Sequence, residues 1–254
     1  MMDKTVLRNI RNFISEESGK GKNISIYHYS DDDINYLRNN GVRIQLDDFR
    51  DVVLQEEIGL ELGGTDKKSF LLIYPLKEEN VIEDGKITLI GKEMNTYQNL
   101  TIDFGLFILI GINQIPEKDL ENLSSFNFIS NSIEGFSMRS IPRRFWCRIS
   151  SDLLNKGFSF QFLGNAIYYL YKKKFKDFIN SVEVLFICSH SDSIEKFIKI
   201  SAEFTLKLKE KWLEKIENWK KRIDCDYEWG CEICPYQVEC YEIKKVLTAR
   251  EKKE

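Results

Sequence analysis

A dense cluster of cysteines near the C-terminus constrains this chain more than any other feature. Four of its six cysteines lie within sixteen residues, spaced Cys-x5-Cys-x2-Cys-x5-Cys: Cys225, Cys231, Cys234 and Cys240. A Cys-x2-Cys turn directs two sulfurs to the same side of a centre, and flanking cysteines can close the other side. The segment is therefore predicted to fold around a metal ion or an iron–sulfur cluster, with ordinary thiols or a disulfide pair as the alternative.

The residues around these cysteines favour a [4Fe–4S] cluster. The pair Cys234 and Pro235 is typical of iron–sulfur proteins, and neither histidine of the chain, His28 or His190, lies near the cysteines. Four aromatic side chains could shield such a cluster from water: Tyr227, Trp229, Tyr236 and Tyr241. A four-cysteine zinc site is the alternative, because aromatic residues also surround zinc.

Composition indicates a globular protein of the reducing cytosol. The 254 residues, 43% of them apolar, suffice for one large or two small domains. A net charge of −3 gives no overall attraction to nucleic acid or to an anionic membrane. The longest apolar run, Phe104–Ile112, is too short to span a bilayer. Asp3, Lys4 and Arg8 interrupt any signal-peptide pattern, so we expect a cytoplasmic protein without membrane contact.

The first quarter of the chain alternates between helix and strand patterns. Apolar residues recur with helical spacing over 3–17, and an alternating strand pattern follows over 23–29. Ser30 or Asp31 then caps a short helix that ends at a glycine, and a second strand is predicted over 42–46. This β-α-β alternation predicts an α/β fold with a mixed or parallel sheet and flanking helices.

Further strands are predicted along the rest of the chain. They cover residues 87–90 after an Asp84-Gly85 turn, 101–112, 145–150 and 182–188. The run over 101–112 would be buried on both faces if it formed one strand. Two of the strands contain the remaining cysteines, Cys147 and Cys188, which are predicted to be core thiols.

Three more helices are predicted, and the last one leads into the cysteine cluster. They run from Pro116 to Phe128, from just after Gly157, and from Asp192 to about Ile223, immediately before Cys225. The second of them ends in a basic run: Lys172, Lys173, Lys174 and Lys176. This run is either a solvated helix end, favoured by the helix dipole, or a docking patch for an acidic partner.

A series of short motifs resembles one known family. The motifs are Gly59 to Gly64, Ser69-Phe70, Val81 to Gly91, Glu134 to Phe136, Trp146 to Ser150 and Leu163-Gly164. In number and order they resemble the middle domain of the β subunit of the carbon monoxide dehydrogenase/acetyl-CoA synthase complex. The resemblance divides the chain into an N-terminal βα segment (1–46), a middle-domain-like α/β domain (47–224) and a four-cysteine segment with a charged tail (225–254).

The resemblance also assigns roles to the cysteines. In that family the middle domain leads into cysteines that hold a [4Fe–4S] cubane, one of which bridges to a dinuclear nickel centre. Cys231 and Cys234 match the family's Cys-x2-Cys, Cys240 takes the place of the next ligand after a shorter spacer, and Cys225 replaces a missing downstream ligand. The family's Cys-Gly-Cys nickel motif is absent from this sequence, so acetyl-CoA synthesis by this chain alone is not expected.

The family's middle domain has been linked with coenzyme A binding through Trp and Arg residues. Trp146 and Arg148 match such positions, while Ser137 replaces an aromatic residue. Three additional arginines would suit a phosphate-bearing ligand or an acidic partner: Arg139, Arg143 and Arg144. The alternative is a strand with solvent-facing arginines and a tryptophan in the core.

Four functions are compatible with the sequence. The resemblance favours an iron–sulfur protein that transfers electrons or assists a partner in anaerobic one-carbon metabolism, the partner being a corrinoid iron–sulfur protein or a CO dehydrogenase-type complex. An enzyme with an open iron or a nickel recruited through Cys234 is the second. An iron–sulfur nuclease is disfavoured, because the only Glu-x-Lys triplets begin at Glu242 and Glu251, beyond the cluster. A zinc-stabilised binding module is the fourth.

Overall fold

The computed structural model describes residues 2–47, 53–77, 82–113, 123, 126–141 and 144–202. The chain divides into two compact units, Met1–Ser201 and Ala202–Glu254. The four clustered cysteines, Arg143, most of the predicted 116–128 helix and the predicted helix beyond residue 202 lie outside the described residues. The division at residues 46/47 and 224/225 stays a prediction.

Helices and strands alternate along the described chain. The helices are α1 (Met2–Gly19), α2 (Asp31–Asn39), α3 (Asn127–Ser130), α4 (Ser151–Asn155), α5 (Phe160–Lys174) and α6, which begins at residue 191 and is described to residue 202. The strands are β1 (Ile24–His28), β2 (Ile58–Gly63), β3 (Ser69–Leu76), β4 (Lys86–Ile90), β5 (Thr101–Ile102), β6 (Phe104–Ile112), β7 (Phe136–Ile141), β8 (Arg144–Ser150) and β9 (Ile179–Cys188). None of the described helices combines the length and the apolarity that crossing a bilayer requires.

The larger sheet has five strands in the order β1-β4-β9-β6-β3. Strands β4 and β9 pair in parallel, as do β3 and β6, whereas β1–β4 and β6–β9 are antiparallel. All nine residues of β6 are buried, which its uninterrupted apolar sequence predicts for a central strand. The predicted α/β class with a mixed sheet is confirmed.

Two strand predictions are wrong in detail. Residues 42–46 form no strand and make only an isolated bridge, between Ile44 and Ile133. Their alternation arises because Val42 and Ile44 are buried while Arg43 and Gln45 face solvent, and a pattern of burial does not require a pairing partner. The run over 101–112 is broken at Asp103, so β5 and β6 belong to different sheets.

At this break, Asp103 accepts hydrogen bonds from three neighbouring segments. Its carboxylate accepts hydrogen bonds from the backbone N–H of Lys68 and from the hydroxyl of Ser191, and its carbonyl accepts one from the N–H of Ser189. Asp103 therefore ties the starts of β3 and β6 to the end of β9.

The smaller sheet has four strands in the order β5-β2-β8-β7. Strands β2 and β5 are parallel, and the other pairs are antiparallel. Its inner face is apolar and joins the main core: Leu60, Leu62, Ile102, Phe136, Met138, Phe145, Cys147 and Ile149. Cys147 and Cys188 are fully buried, as predicted, and burial raises the pKa of both thiols.

Helices cover both faces of the larger sheet. On one face α5 packs closely, and a Cβ at Gly164 would lie 2.6 Å from Ile87, so only glycine allows this approach. On the other face α1 and α6 meet through Phe13 and Phe197, whose ring centroids are 5.3 Å apart. Arg11 of α1 pairs with the buried carboxylate of Glu183 on β9. Alternating side chains of the sheet are thus buried on both sides.

Local capping explains where two of the helices begin. The hydroxyl of Ser30 accepts a hydrogen bond from the N–H of Asp32, at 3.2 Å, which confirms one of the two predicted caps of α2. In α5 the hydroxyl of Ser159 accepts from the N–H of Phe162. Helix α6 begins one residue before Asp192, close to its predicted start.

Candidate functional site

The described residues predicted to contact a ligand meet on the outer face of the smaller sheet. Trp146 of β8 lies directly opposite Gly63 of β2 on one side and Arg139 of β7 on the other. Directly opposed residues project from the same side of a sheet, and Cys147, the next residue along β8, points into the core instead. A half-buried indole therefore lies between bare backbone and an exposed guanidinium.

Arg148 shares this face but is already paired. It lies opposite Glu61 of β2, and its Nε donates to Glu61 Oε2 at 2.8 Å. The two side chains are 29% and 21% exposed, so the ion pair is partly shielded from water. Because Glu61 neutralises Arg148, Arg139 is the exposed cation among the side chains described on this face.

Two consecutive buried glycines, Gly63 and Gly64, end β2 opposite the indole. Gly63 and Gly64 have φ angles of +73° and +122°, which side-chain-bearing residues rarely adopt. A Cβ at Gly63 would lie 2.3 Å from the carbonyl oxygen of Phe145, so β2 ends in close contact with the start of β8. No side chain therefore opposes Trp146 at position 63, and the backbone there is itself buried.

Glu61 belongs to this face, but the sequence analysis did not predict it as a site residue. Within β2 it is the one ionisable residue, and its two direct neighbours, Leu60 and Leu62, are fully buried. A lone carboxylate in an otherwise apolar strand is the signal that could have identified it, because burying an unpaired charge is costly. Its partner could not be named in advance, since Arg148 is 87 positions away.

The basic run at the end of α5 is largely committed to contacts within the chain. The Nζ of Lys172 lies 3.2 Å from the Oδ2 of Asp84, and the Nζ of Lys174 lies 2.7 Å from the Oδ2 of Asp47. The helix ends at Lys174, so these lysines occupy its last turn, where positive charge is favoured. A role of this run in docking an acidic partner stays a prediction.

The predicted cluster ligands cannot be placed geometrically, because residues 225–240 lie outside the described ranges. Within those ranges no three His, Cys, Asp or Glu side chains come together in a way that could hold a metal ion. The two described cysteines, Cys147 and Cys188, are separate buried thiols.

The fold and this face together define a mixed α/β domain with a tryptophan and arginines on the outer face of its smaller sheet. The sequence profile of the family described as CO dehydrogenase/acetyl-CoA synthase complex beta subunit matches residues 50–193, which contain every described residue of the candidate site. The chain belongs to this family. The resemblance drawn from the short motifs is thereby confirmed.

The similarity to individual relatives is distant and partial. The acetyl-CoA decarbonylase/synthase complex subunit beta of Methanopyrus kandleri is 28% identical over 144 residues, covering 55% of this chain and 30% of the relative. The subunit beta 1 of Methanosarcina thermophila is 26% identical over 186 residues, covering 72% of this chain and 38% of the relative. The chain thus spans about a third of the length of the curated relatives it matches, which fits a middle domain.

Proposed function

We propose that this chain is an iron–sulfur accessory protein of anaerobic one-carbon metabolism, working in the cytoplasm as an electron-transfer component. The observation that supports this most strongly is the family match over residues 50–193, followed along the chain by four closely spaced cysteines. The order of a middle-domain region and then a cysteine cluster is the one that the family resemblance implies.

The proposed cluster ligands are Cys225, Cys231, Cys234 and Cys240. Four thiolates complete the coordination of a [4Fe–4S] cluster, which supplies one-electron transfer when it is bound. Full coordination leaves no open iron for a substrate, and this favours electron transfer over catalysis at the cluster. Zinc held by the same four thiolates is the competing assignment, and it would make the segment structural.

A protein partner follows from the family. The relatives are named as subunits of the acetyl-CoA decarbonylase/synthase complex, a multi-subunit assembly. We propose that this chain likewise acts beside a partner, either a corrinoid iron–sulfur protein or a CO dehydrogenase-type complex. In this arrangement the cluster passes one electron, and the partner carries out the carbon chemistry.

Metal analysis of the anaerobically purified protein tests this proposal. We expect about four irons and four acid-labile sulfides per chain, no stoichiometric nickel or zinc, and an EPR signal on reduction. The variant Cys231→Ala should lose most of the cluster, whereas Cys147→Ala, which removes a core thiol, should retain it. Stoichiometric nickel with iron would instead support an enzyme, and zinc without sulfide would overturn the electron-transfer function.

The outer face of the smaller sheet is the second part of the proposal, as a contact for coenzyme A. The observation that favours it is the half-buried indole of Trp146 beside the exposed guanidinium of Arg139. An indole can stack on an adenine ring, and a guanidinium can form paired hydrogen bonds with a phosphate. We propose Arg148 as part of the same contact, held in place by Glu61, and Arg143 as a further contributor from its sequence position.

A binding titration with coenzyme A tests this contact. We expect Trp146→Ala and Arg139→Gln each to raise the Kd about tenfold, because each removes roughly 1.4 kcal/mol of stacking or charge-assisted hydrogen bonding. Arg8→Gln is the matched control, since Arg8 is an exposed arginine on α1. Equal weakening by all three variants would point to a general charge effect, and no saturable binding would overturn the contact.

A further inference from the structure

A second cluster of polar side chains lies on the surface that α2 and α5 share, and it centres on one tyrosine. The guanidinium of Arg38, in the last turn of α2, donates from Nη2 to the phenolic oxygen of Tyr169 at 3.1 Å. The ammonium of Lys173, one turn further along α5, approaches the same oxygen at 3.4 Å. Both cations also lie over the tyrosine ring, at 5.2 Å and 5.5 Å from its centroid.

This arrangement brings two positive charges close together. Both nitrogens contact one oxygen, so they lie less than about 7 Å apart, where like charges repel each other. Within the described part of the chain, neither Arg38 nor Lys173 has a carboxylate at ion-pair distance, unlike Lys172 and Lys174 beside them. An anion bound close to both cations would attract each of them and so offset their mutual repulsion.

Tyr169 and its neighbour Tyr168 have pKa values shifted in opposite directions. Tyr168 donates its hydroxyl to a carboxylate oxygen of Asp84, and burial together with this contact raises its pKa. Partial burial acts in the same direction on Tyr169, but hydrogen bonds from Arg38 and Lys173 outweigh it and lower the pKa of Tyr169. Two consecutive residues thus face opposite electrostatic environments.

The hydrogen-bonding groups of the cluster leave several donors available to a ligand. A phenolic oxygen that accepts from Arg38 and Lys173 keeps its own O–H proton to donate outward. The guanidinium retains four further N–H groups and the ammonium retains two, on side chains that are both exposed. The cluster therefore offers donors of three chemical kinds and no carboxylate acceptor among the described residues.

We propose that Arg38, Tyr169 and Lys173 form a binding site for a phosphate group, either free phosphate or the phosphate of a monoester. A phosphate dianion matches the two positive charges, whereas a single carboxylate would neutralise only one of them. Its oxygens can accept from the guanidinium, the ammonium and the phenol at the same time. The site lies on helices α2 and α5, and it uses none of the residues proposed for the cluster or for the sheet face around Trp146.

Calorimetric titration of the full chain with inorganic phosphate tests the site. We expect saturable binding with a Kd in the millimolar range, raised about tenfold by Arg38→Gln and by Lys173→Gln. Tyr169→Phe keeps the ring but removes the O–H donor, and it should raise the Kd about threefold. Lys176→Gln is the matched control, because it removes an exposed positive charge just beyond the same helix and should leave the Kd unchanged.

A second readout reports on the tyrosine itself. With ring-labelled tyrosine, the NMR resonance that disappears in Tyr169→Phe should titrate at a higher pH when phosphate is bound, because a nearby anion disfavours the phenolate. Tighter binding of glycerol phosphate than of inorganic phosphate would identify a monoester as the ligand, and equal binding would identify free phosphate. No saturation by either compound, or equal weakening by Lys176→Gln, would overturn the site.

Discussion

Replacing Gly63 by alanine is expected to lower the free energy of unfolding by about 3 kcal/mol or more. The added Cβ would lie 2.3 Å from the carbonyl oxygen of Phe145 and 2.9 Å from the Cβ of Ser69. The first of these atoms is backbone and cannot move aside without shifting β8. The φ of +73° adds the ordinary cost of placing alanine in a left-handed conformation, about 1 kcal/mol. Urea unfolding measures the difference.

Gly41→Ala is the control that separates these two costs. Gly41 has a similar φ of +79°, just after α2, but a Cβ there would meet nothing within 4 Å. We therefore expect Gly41→Ala to cost only about 1 kcal/mol, from the backbone conformation alone. If both variants lost the same stability, the close approach at Gly63 would not be the reason for the glycine.

The position of Gly63 explains why so large an effect is expected at a strand end. The N–H of Phe145 donates to the hydroxyl of Ser69, and the N–H of Gly64 donates to the carbonyl of Phe145. The end of β2, the start of β8 and the start of β3 therefore meet here, where the smaller sheet joins the larger one. The same glycine lies opposite Trp146, so the fold and the candidate site depend on one short stretch of backbone.

Local patterns in the sequence predict most of the elements but not how they pair. The cap at Ser30, the helical stripe of α5 and the buried run of β9 each depend on neighbours within a few residues, and all three are found. The pairing of β1 with β4 and the bridge of Ile44 with Ile133 depend on distant segments. Periodicity reports which face is buried, and it carries no information about which strand lies alongside.

The same distinction holds for the candidate sites. Trp146 and Arg139 could be proposed together as ligand contacts because only six residues separate them in the sequence, within two consecutive strands. The neutralisation of Arg148 by Glu61 could not be predicted from the sequence, since the two residues are 87 positions apart. The contact of Arg38 with Tyr169 spans 131 positions, and nothing in the sequence near either residue indicates it. Charged residues become interpretable only once their long-range partners are known.

The buried carboxylate of Glu17 should make the protein lose stability in acid. Glu17 ends the buried face of α1 and is fully enclosed, in contact with Lys20 at 2.8 Å, Lys22 at 3.1 Å and the hydroxyl of Ser193. Burial alone would raise its pKa, but hydrogen bonds from these three groups outweigh that effect and lower the pKa to about 2. The folded state therefore binds this proton more weakly than the unfolded chain does.

The sign of the pH dependence follows from this depressed pKa. The stabilisation is present above the unfolded pKa of 4.5 and is lost as the pH falls toward the folded pKa of about 2. A shift of this size corresponds to roughly 3 kcal/mol, since one pKa unit is about 1.4 kcal/mol. Glu17→Gln should therefore cost about 2–3 kcal/mol at pH 7, and its difference from the native protein should narrow steadily below pH 5.

Urea unfolding at pH 7 and at several values down to pH 3 checks this dependence. Glu16→Gln is the matched control, because Glu16 is the exposed neighbour whose ion pair with Lys196 should contribute less than about 0.5 kcal/mol. The contacts of Glu17 join the end of α1 to Ser193 in the first turn of α6, so its loss should loosen the start of that helix. A pH-independent cost for Glu17→Gln, or one no larger than that of Glu16→Gln, would contradict the assignment of a buried, charged carboxylate.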